Sequence, residues 1–433
     1  MRRTLLPSLL LLALLPASAG AQASIGTTAE TRAEWIHAHP DGAPGLDVLT
    51  VIAPSLGVAS DRYLFSLTGS VIARAPEPEV GLELDSYELT FFPAPWATLR
   101  FGRFAYLPGF AEVFSQTNYF SRVDLTRLVR GDLEAASRPG FLAQASAYLG
   151  AFYVTASATP FVYPQLLPPA DSPWLPDADI PSTLELLPFS SEVYREEIRY
   201  AGIDPQVPLD WSRVSYAVEA GGSYRGLDFA LLWYNGFDND PLVQARIVDL
   251  DPYESFSVEL SPVYRKVTAA GANLLYTTGA VRVWTDASYA FYKRFLTNVL
   301  DVERRTTQLA EAPYLSYAAG ASWEPRFANA ALVLEYAGSH AFGENETLVM
   351  PALHSVAAAT LQWWLLDYRL VPRLTYVLSS DDWSSALLAG LAWEPAADLS
   401  VELSAPLFFG DAASELGQYR GNRFVSAAVR WRF

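Results

Sequence analysis

Four histidines, His37, His39, His340 and His354, are the side chains best suited to catalysis or metal binding. His37-x-His39 would place two imidazoles on one face of a strand, a spacing able to hold a metal. Pro40-Asp41-Gly42 follows at once and marks a surface turn instead. His354-Ser355 sets a base beside a hydroxyl, but neighbours on a strand point to opposite faces, so the two cannot work together. There is no phosphate-cradling glycine loop and no metal-ligand cluster. There is also no cysteine, so neither disulfides nor thiolate chemistry arises. These residues point away from an enzyme and imply no cofactor. The chemistry that remains is electrostatic. Glu88, Arg100, Glu219, Arg282, Asp286, Glu335, Arg369, Arg373, Glu402, Arg430 and Arg432 are read as charges facing away from large apolar groups on extended segments. Collectively they require a wet interior, because unpaired charge in a dry core is costly.

The elements that must carry these charges are strands with a period of two. The last is the clearest. Val425, Ala427, Val429, Trp431 and Phe433 share one face, while Ser426, Ala428, Arg430 and Arg432 share the other. Val281 to Tyr292, Leu399 to Ala405 and Leu227 to Tyr234 repeat the pattern. Between Val80 and Phe91 the phase slips, from Leu82 and Leu84 to Tyr87, Leu89 and Phe91, which predicts a bulge near Asp85-Ser86. The strands are expected at 25–38, 46–57, 62–74, 80–92, 96–105, 140–148, 151–159, 213–224, 227–236, 262–277, 280–294, 313–324, 329–340, 354–366, 368–379, 383–393, 397–407 and 422–433. That makes about 18 strands, or 16 if two weak early segments do not form. Short links alternate with mostly longer ones, as they do in up-and-down barrels.

Composition agrees with a membrane barrel. Hydrophobic residues make up 51% and aromatics 13%, yet no segment after the N-terminal stretch approaches the length of a spanning helix. The net charge of −17 argues against nucleic-acid binding. Arg2 and Arg3, the apolar run Leu5 to Leu15 and the small residues around Ala19, Ala21 and Ala23 read as a secretory signal peptide over residues 1–23. Its removal would take two arginines and leave −19. The expected fold class is therefore all-β: a transmembrane antiparallel up-and-down β-barrel over residues 24–433.

Two segments carry a family resemblance. The terminal Trp431-x-Phe433 resembles the C-terminal signal of bacterial outer-membrane barrels, which the barrel-assembly machinery reads. The acidic-aromatic strand Leu84 to Phe92, turning through Pro93-Ala94-Pro95 into Leu99-Arg100-Phe101-Gly102-Arg103, resembles a hairpin of porin-like families. In such families the next loop often folds into the barrel and narrows it. Here that loop is 106–139, with Arg122, Asp124, Arg127, Arg130, Asp132 and Glu134. Phe104-Ala105-Tyr106-Leu107-Pro108 departs from the more polar pattern, which bears on selectivity. A second long segment, 160–212, holds ten of the chain's 30 prolines and is rich in apolar residues, among them Phe161, Tyr163, Trp174, Leu186 and Leu187. The resemblance implies a channel for passive diffusion of small solutes in the bacterial cell outer membrane, with both termini periplasmic. A gated channel for apolar compounds and a plugged structural or adhesive barrel are the rival readings. Outer-membrane lipids are the expected surroundings, and the oligomeric state is left open.

Overall fold

The computed structural model describes residues 22–36, 45–75, 79–106, 108–111, 114–124, 127, 136–161, 166, 174, 198–200, 214–238, 242–251, 255–301, 304, 306–325, 327–343, 348, 353–422 and 424–433. The expected signal peptide lies outside these residues, except that Gln22 and Ala23 open the first strand. His37, His39, Arg130, Asp132, Glu134, Tyr163, Leu186 and Leu187 also lie outside them.

Eighteen strands build the wall. They are β1 (Gln22–Ile36), β2 (Gly45–Ala59), β3 (Tyr63–Ala75), β4 (Glu79–Ala94), β5 (Ala97–Phe104), β6 (Gly140–Leu149), β7 (Phe152–Thr159), β8 (Ser215–Tyr224) and β9 (Leu227–Phe237). The ring continues with β10 (Lys266–Thr278), β11 (Val281–Asp301), β12 (Thr306–Trp323), β13 (Ala330–Ala341), β14 (Leu353–Trp363), β15 (Leu370–Ser379), β16 (Ser385–Ala396), β17 (Leu399–Phe409) and β18 (Phe424–Arg432). Each pairs antiparallel with its neighbours, and β18 closes the ring on β1. Closure removes both sheet edges, so every wall strand has backbone partners on both sides. The structure bears out the all-β barrel and its 18 strands.

The bulge lies where the phase slip placed it. Thr68 pairs with Ser86 and Gly69 with Leu84, which leaves Asp85 out of register. The tight links all fall at one rim. At one of them Arg225 (φ 50°) and Gly226 (φ 83°) form a two-residue hairpin turn with both central residues left-handed, which matches the strand twist. The first described residue, Gln22, and the last, Phe433, lie at this rim, and Phe433 N–H donates to Thr27 O at 2.8 Å.

One hairpin is additional. Leu242–Asp251 and Ser255–Val263 pair beyond the wall in the connection from β9 to β10, and Ile198–Tyr200 adds parallel to Val258–Leu260. The sequence places 237–261 in a connection between two wall strands, and this hairpin is an addition to that expectation.

Register carries one facing consistently round the ring. Outward positions are apolar: Leu231, Leu274, Val283, Leu334, Leu374, Leu403 and Val429 are all exposed. Aromatics gather near both rims. Phe152, Tyr224, Tyr276, Trp323, Trp393 and Trp431 lie toward the short-turn rim, and Tyr216, Trp233 and Tyr289 lie toward the other. An exposed apolar band between aromatic girdles is stable only against lipid.

Candidate functional site

The inward face holds the predicted charges, and backbone pairing explains which of them meet. Thr90 pairs with Arg100, and Arg100 with Gln144, across β4, β5 and β6. This register brings Glu88 within a two-pronged ion pair with Arg100, Nε to Oε1 at 2.8 Å and Nη2 to Oε2 at 3.1 Å. Arg100 also donates to Gln144 Oε1 at 3.3 Å and lies 4.2 Å from the Phe104 ring centre. At the closing seam Arg430 reaches Glu30 at 3.0 Å and Glu402 at 3.6 Å. Arg32 joins Glu30 at 3.2 Å. Glu30 and Arg32 were missed in the sequence because β1 has no strong apolar alternation to mark its inward face. Arg373 faces inward and donates to Gln362 Oε1 at 2.9 Å. Arg282 lies beside Trp284, 6.0 Å from its ring centre, and Arg432 is exposed next to the short-turn rim.

Three predicted pore-lining acids do something else. Asp286 on β11 is 0% exposed, Glu335 on β13 3% and Glu219 on β8 8%. They face inward, but the connection between β5 and β6 lies over them. Phe110 and Ala111 donate their backbone N–H groups to Asp286 Oδ2 at 2.9 and 2.7 Å. Phe114 N–H donates to Glu335 Oε1 at 2.6 Å, and Trp284 Nε1 donates to Glu335 Oε2 at 3.1 Å. Tyr106 and Tyr153 hydroxyls donate to the two oxygens of Glu219 at 2.8 and 2.6 Å. Thr117 Oγ1 lies 3.1 Å from the side-chain amide of Asn273, and the Tyr119 hydroxyl meets Ser288. Tyr119 stacks on Tyr234 at 4.3 Å. These acids therefore seat the connection on the inner wall of β8–β13 and do not face open water. The reason is chemical: buried carboxylates need donors, and free backbone N–H groups need acceptors.

Within that connection Asp124 sits between two arginines, Arg127 at 3.5 Å and Arg138 at 3.7 Å. Arg122 pairs through its backbone with Arg138. Arg369 is a correction. It lies in the exposed turn Leu366–Arg369 at the short-turn rim, because β14 ends at Trp363 and β15 begins only at Leu370.

The two described histidines, His340 and His354, do not come together in a catalytic set. His354 Nδ1 lies 2.6 Å from Asp381 Oδ2, and its Nε2 faces Glu415 Oε1 at 3.6 Å, so a hydroxyl takes neither nitrogen. His340 lies edge-on to Phe342 at 4.5 Å.

A closed ring of 18 strands enclosing paired charges and an inserted connection settles the architecture. The fold is a closed, antiparallel, up-and-down β-barrel of 18 strands. No protein-family model and no curated protein matches the sequence. Among solved structures the chain is similar to OmpF of Salmonella typhi in complex with daunomycin, at 10% identity over 96% of this chain and 98% of that one, with a TM-score of 0.45. It is also similar to an anion-selective porin from Comamonas acidovorans, at 10% identity over 95% and 100%, with a TM-score of 0.43. A third is OmpT, an outer membrane protein of Vibrio cholerae, at 10% identity over 96% and 98%, with a TM-score of 0.41.

Proposed function

We propose that the chain is a bacterial outer-membrane channel through which small solutes diffuse passively. The inserted connection carries this reading. Rings of 16 to 18 strands leave an aqueous lumen, and a segment pinned inside by Asp286, Glu335 and Glu219 narrows that lumen without needing any moving part. The wall charges left over are interleaved acids and bases, an arrangement that sorts solutes by a transverse field. In this reading the protein is not an enzyme, both termini are periplasmic, and lipids and the barrel-assembly machinery are its partners.

Planar bilayers test it. Purified protein should insert as channels with steady, roughly ohmic conductance. A folded barrel that inserts and passes no current would favour the plugged structural reading.

A second reading, a gated channel for apolar compounds, is favoured by one observation. Trp174, from the proline-rich connection between β7 and β8, is 4% exposed against inward aromatics of β17 and β18 on the far side of the ring.

A further inference from the structure

Where the lumen meets the short-turn rim, the wall opens into a recess of about 510 Å³ between two turns. Asp61, from the turn between β2 and β3, lines it together with Phe92, Pro93 and Pro95 at the turn between β4 and β5, and with Thr98 and Tyr148. Alternation sets the facing. Thr98 shares the inward face of β5 with Arg100, and Tyr148 shares that of β6 with Gln144. The volume is that of a small-molecule pocket.

Backbone bonds fix the walls of the recess. Phe92 N–H donates to Arg62 O at 2.8 Å, which ties the end of β4 to the first turn. Ser60 Oγ accepts from Arg62 N–H at 3.3 Å and from Tyr63 N–H at 3.2 Å, and so holds the turn that carries Asp61. Tyr148 N–H donates to Trp96 O at 2.7 Å. The two rings nevertheless keep bare faces, for Phe92 is 39% exposed and Tyr148 47%. The charge of the lining is one-sided. Asp61 is its only charged residue. Among the described residues the Asp61 carboxylate takes part in no ion pair or hydrogen bond, even with its neighbour Arg62. Aromatic faces carry negative potential, so the carboxylate and the rings favour the same sign of solute.

We propose that this recess binds small organic cations, alkylammonium groups in particular, at the mouth of the barrel. Asp61 supplies the counter-charge, and Tyr148 and Phe92 supply the π faces on which an N-alkyl surface rests. An alkylated ammonium suits both halves of the site, because it is charged yet largely apolar at its surface. The recess is open to solvent at the rim. Binding therefore does not depend on conduction, and only its effect on current rests on the channel reading.

A saturation-transfer NMR titration with tetramethylammonium chloride tests this on the full-length protein, folded in an uncharged detergent. The unaltered chain should bind the cation saturably. tert-Butanol, of nearly the same shape but without charge, should not bind. Asp61→Asn, in an exposed turn, should weaken tetramethylammonium binding at least about fivefold, the worth of one solvent-exposed charge pair at contact. Tyr148→Leu should weaken it about threefold, as loss of one exposed cation–π face would. Heat-modifiable gel mobility checks folding, and if Tyr148→Leu does not fold, Asp61→Asn decides alone. Equal binding of tert-butanol, an unchanged affinity in Asp61→Asn, or no saturable binding by the unaltered chain each overturns the proposal. In bilayers, tetramethylammonium should lower single-channel current in a saturable way that Asp61→Asn relieves. Binding by a folded barrel that never conducts keeps the site and removes the channel, whereas conduction without binding does the reverse.

Discussion

In the proposed channel, Asp286 is the carboxylate that sets the bore. It takes the N–H groups of two successive residues, Phe110 and Ala111, from a segment more than 170 positions earlier in the chain. Gly109 makes the approach possible. Its φ is +99°, and a Cβ there would lie 2.5 Å from Asp286 Oδ2. Asp286→Ala leaves two half-buried N–H groups without that acceptor, at a cost of up to about 1–3 kcal/mol each. That is enough to unseat a local segment while the ring stays closed. Single-channel records of Asp286→Ala and of Gly109→Ala should both show larger, noisier conductance, and a quiet record of unchanged size from either would count against the seat. Selectivity belongs to the same scale. Replacing Arg122, Arg127 and Arg130 together by Ala should shift the reversal potential in a salt gradient toward cations. An unmoved potential would place those side chains away from the solute path.

The strand β18 links the sequence's last residues to closure. Trp431 and Phe433 project outward and stack at 5.9 Å with nearly parallel planes, while Phe433 N–H and O pair with Thr27 of β1. Deleting Phe433 removes the last backbone bonds of the seam and the outward ring, yet touches nothing in the lumen. Folded protein per cell should fall several-fold and single-channel conductance should stay the same; normal folded levels would remove the assembly role. The loop from Gly410 to Asn422 has its own determinant in Asp382. Burial pushes this carboxyl's pKa up, but hydrogen bonds from Ser384 and from the Glu415 N–H outweigh that and hold it below the usual carboxylate value of 3.8. The stabilisation is therefore complete above pH 4 and is lost as pH falls below that range. Hydrogen exchange at Glu415 and Leu416 should be slow at pH 6 and quicken relative to the wall strands at pH 3. In Asp382→Asn this difference should largely disappear.

At the scale of the whole molecule the decisive property is a sheet without edges. Solubilised protein should give a β-type circular dichroism spectrum and should run faster unheated than heated on a denaturing gel, because a closed ring resists detergent until it is boiled. A largely helical spectrum is incompatible with the wall described here. In the proposed channel, the net charge of −17 should influence transport less than its size suggests. Charges on the outer loops are screened within about 8–10 Å at physiological salt, and the lumen charges described are mostly paired, as in Glu88 with Arg100 and Arg430 with Glu30. Ion preference should accordingly be weak at high salt and grow as salt is lowered.

The sequence by itself determined the wall. Alternation of apolar and polar residues fixes which face meets lipid, since a one-residue slip would invert that face, and so the count of about 18 strands and even the bulge near Asp85-Ser86 could be read from the residues between Val80 and Phe91 and their counterparts. The site was legible only in part. Glu88 and Arg100 were legible as inward charges of one hairpin, but the register of β4 on β5 decided their ion pair. Asp286 and Glu335 looked like any other inward charge, since their partners are backbone N–H groups, which every residue but proline possesses and no side-chain pattern marks. Arg369 moved from wall to turn on a boundary two residues long. Trp174 and the aromatics it packs against, Phe408, Tyr419 and Phe424, were visible as residues, but nothing local joins position 174 to positions 408, 419 and 424. Only closure of the ring brings those segments together, because it sets which distant strands share one mouth.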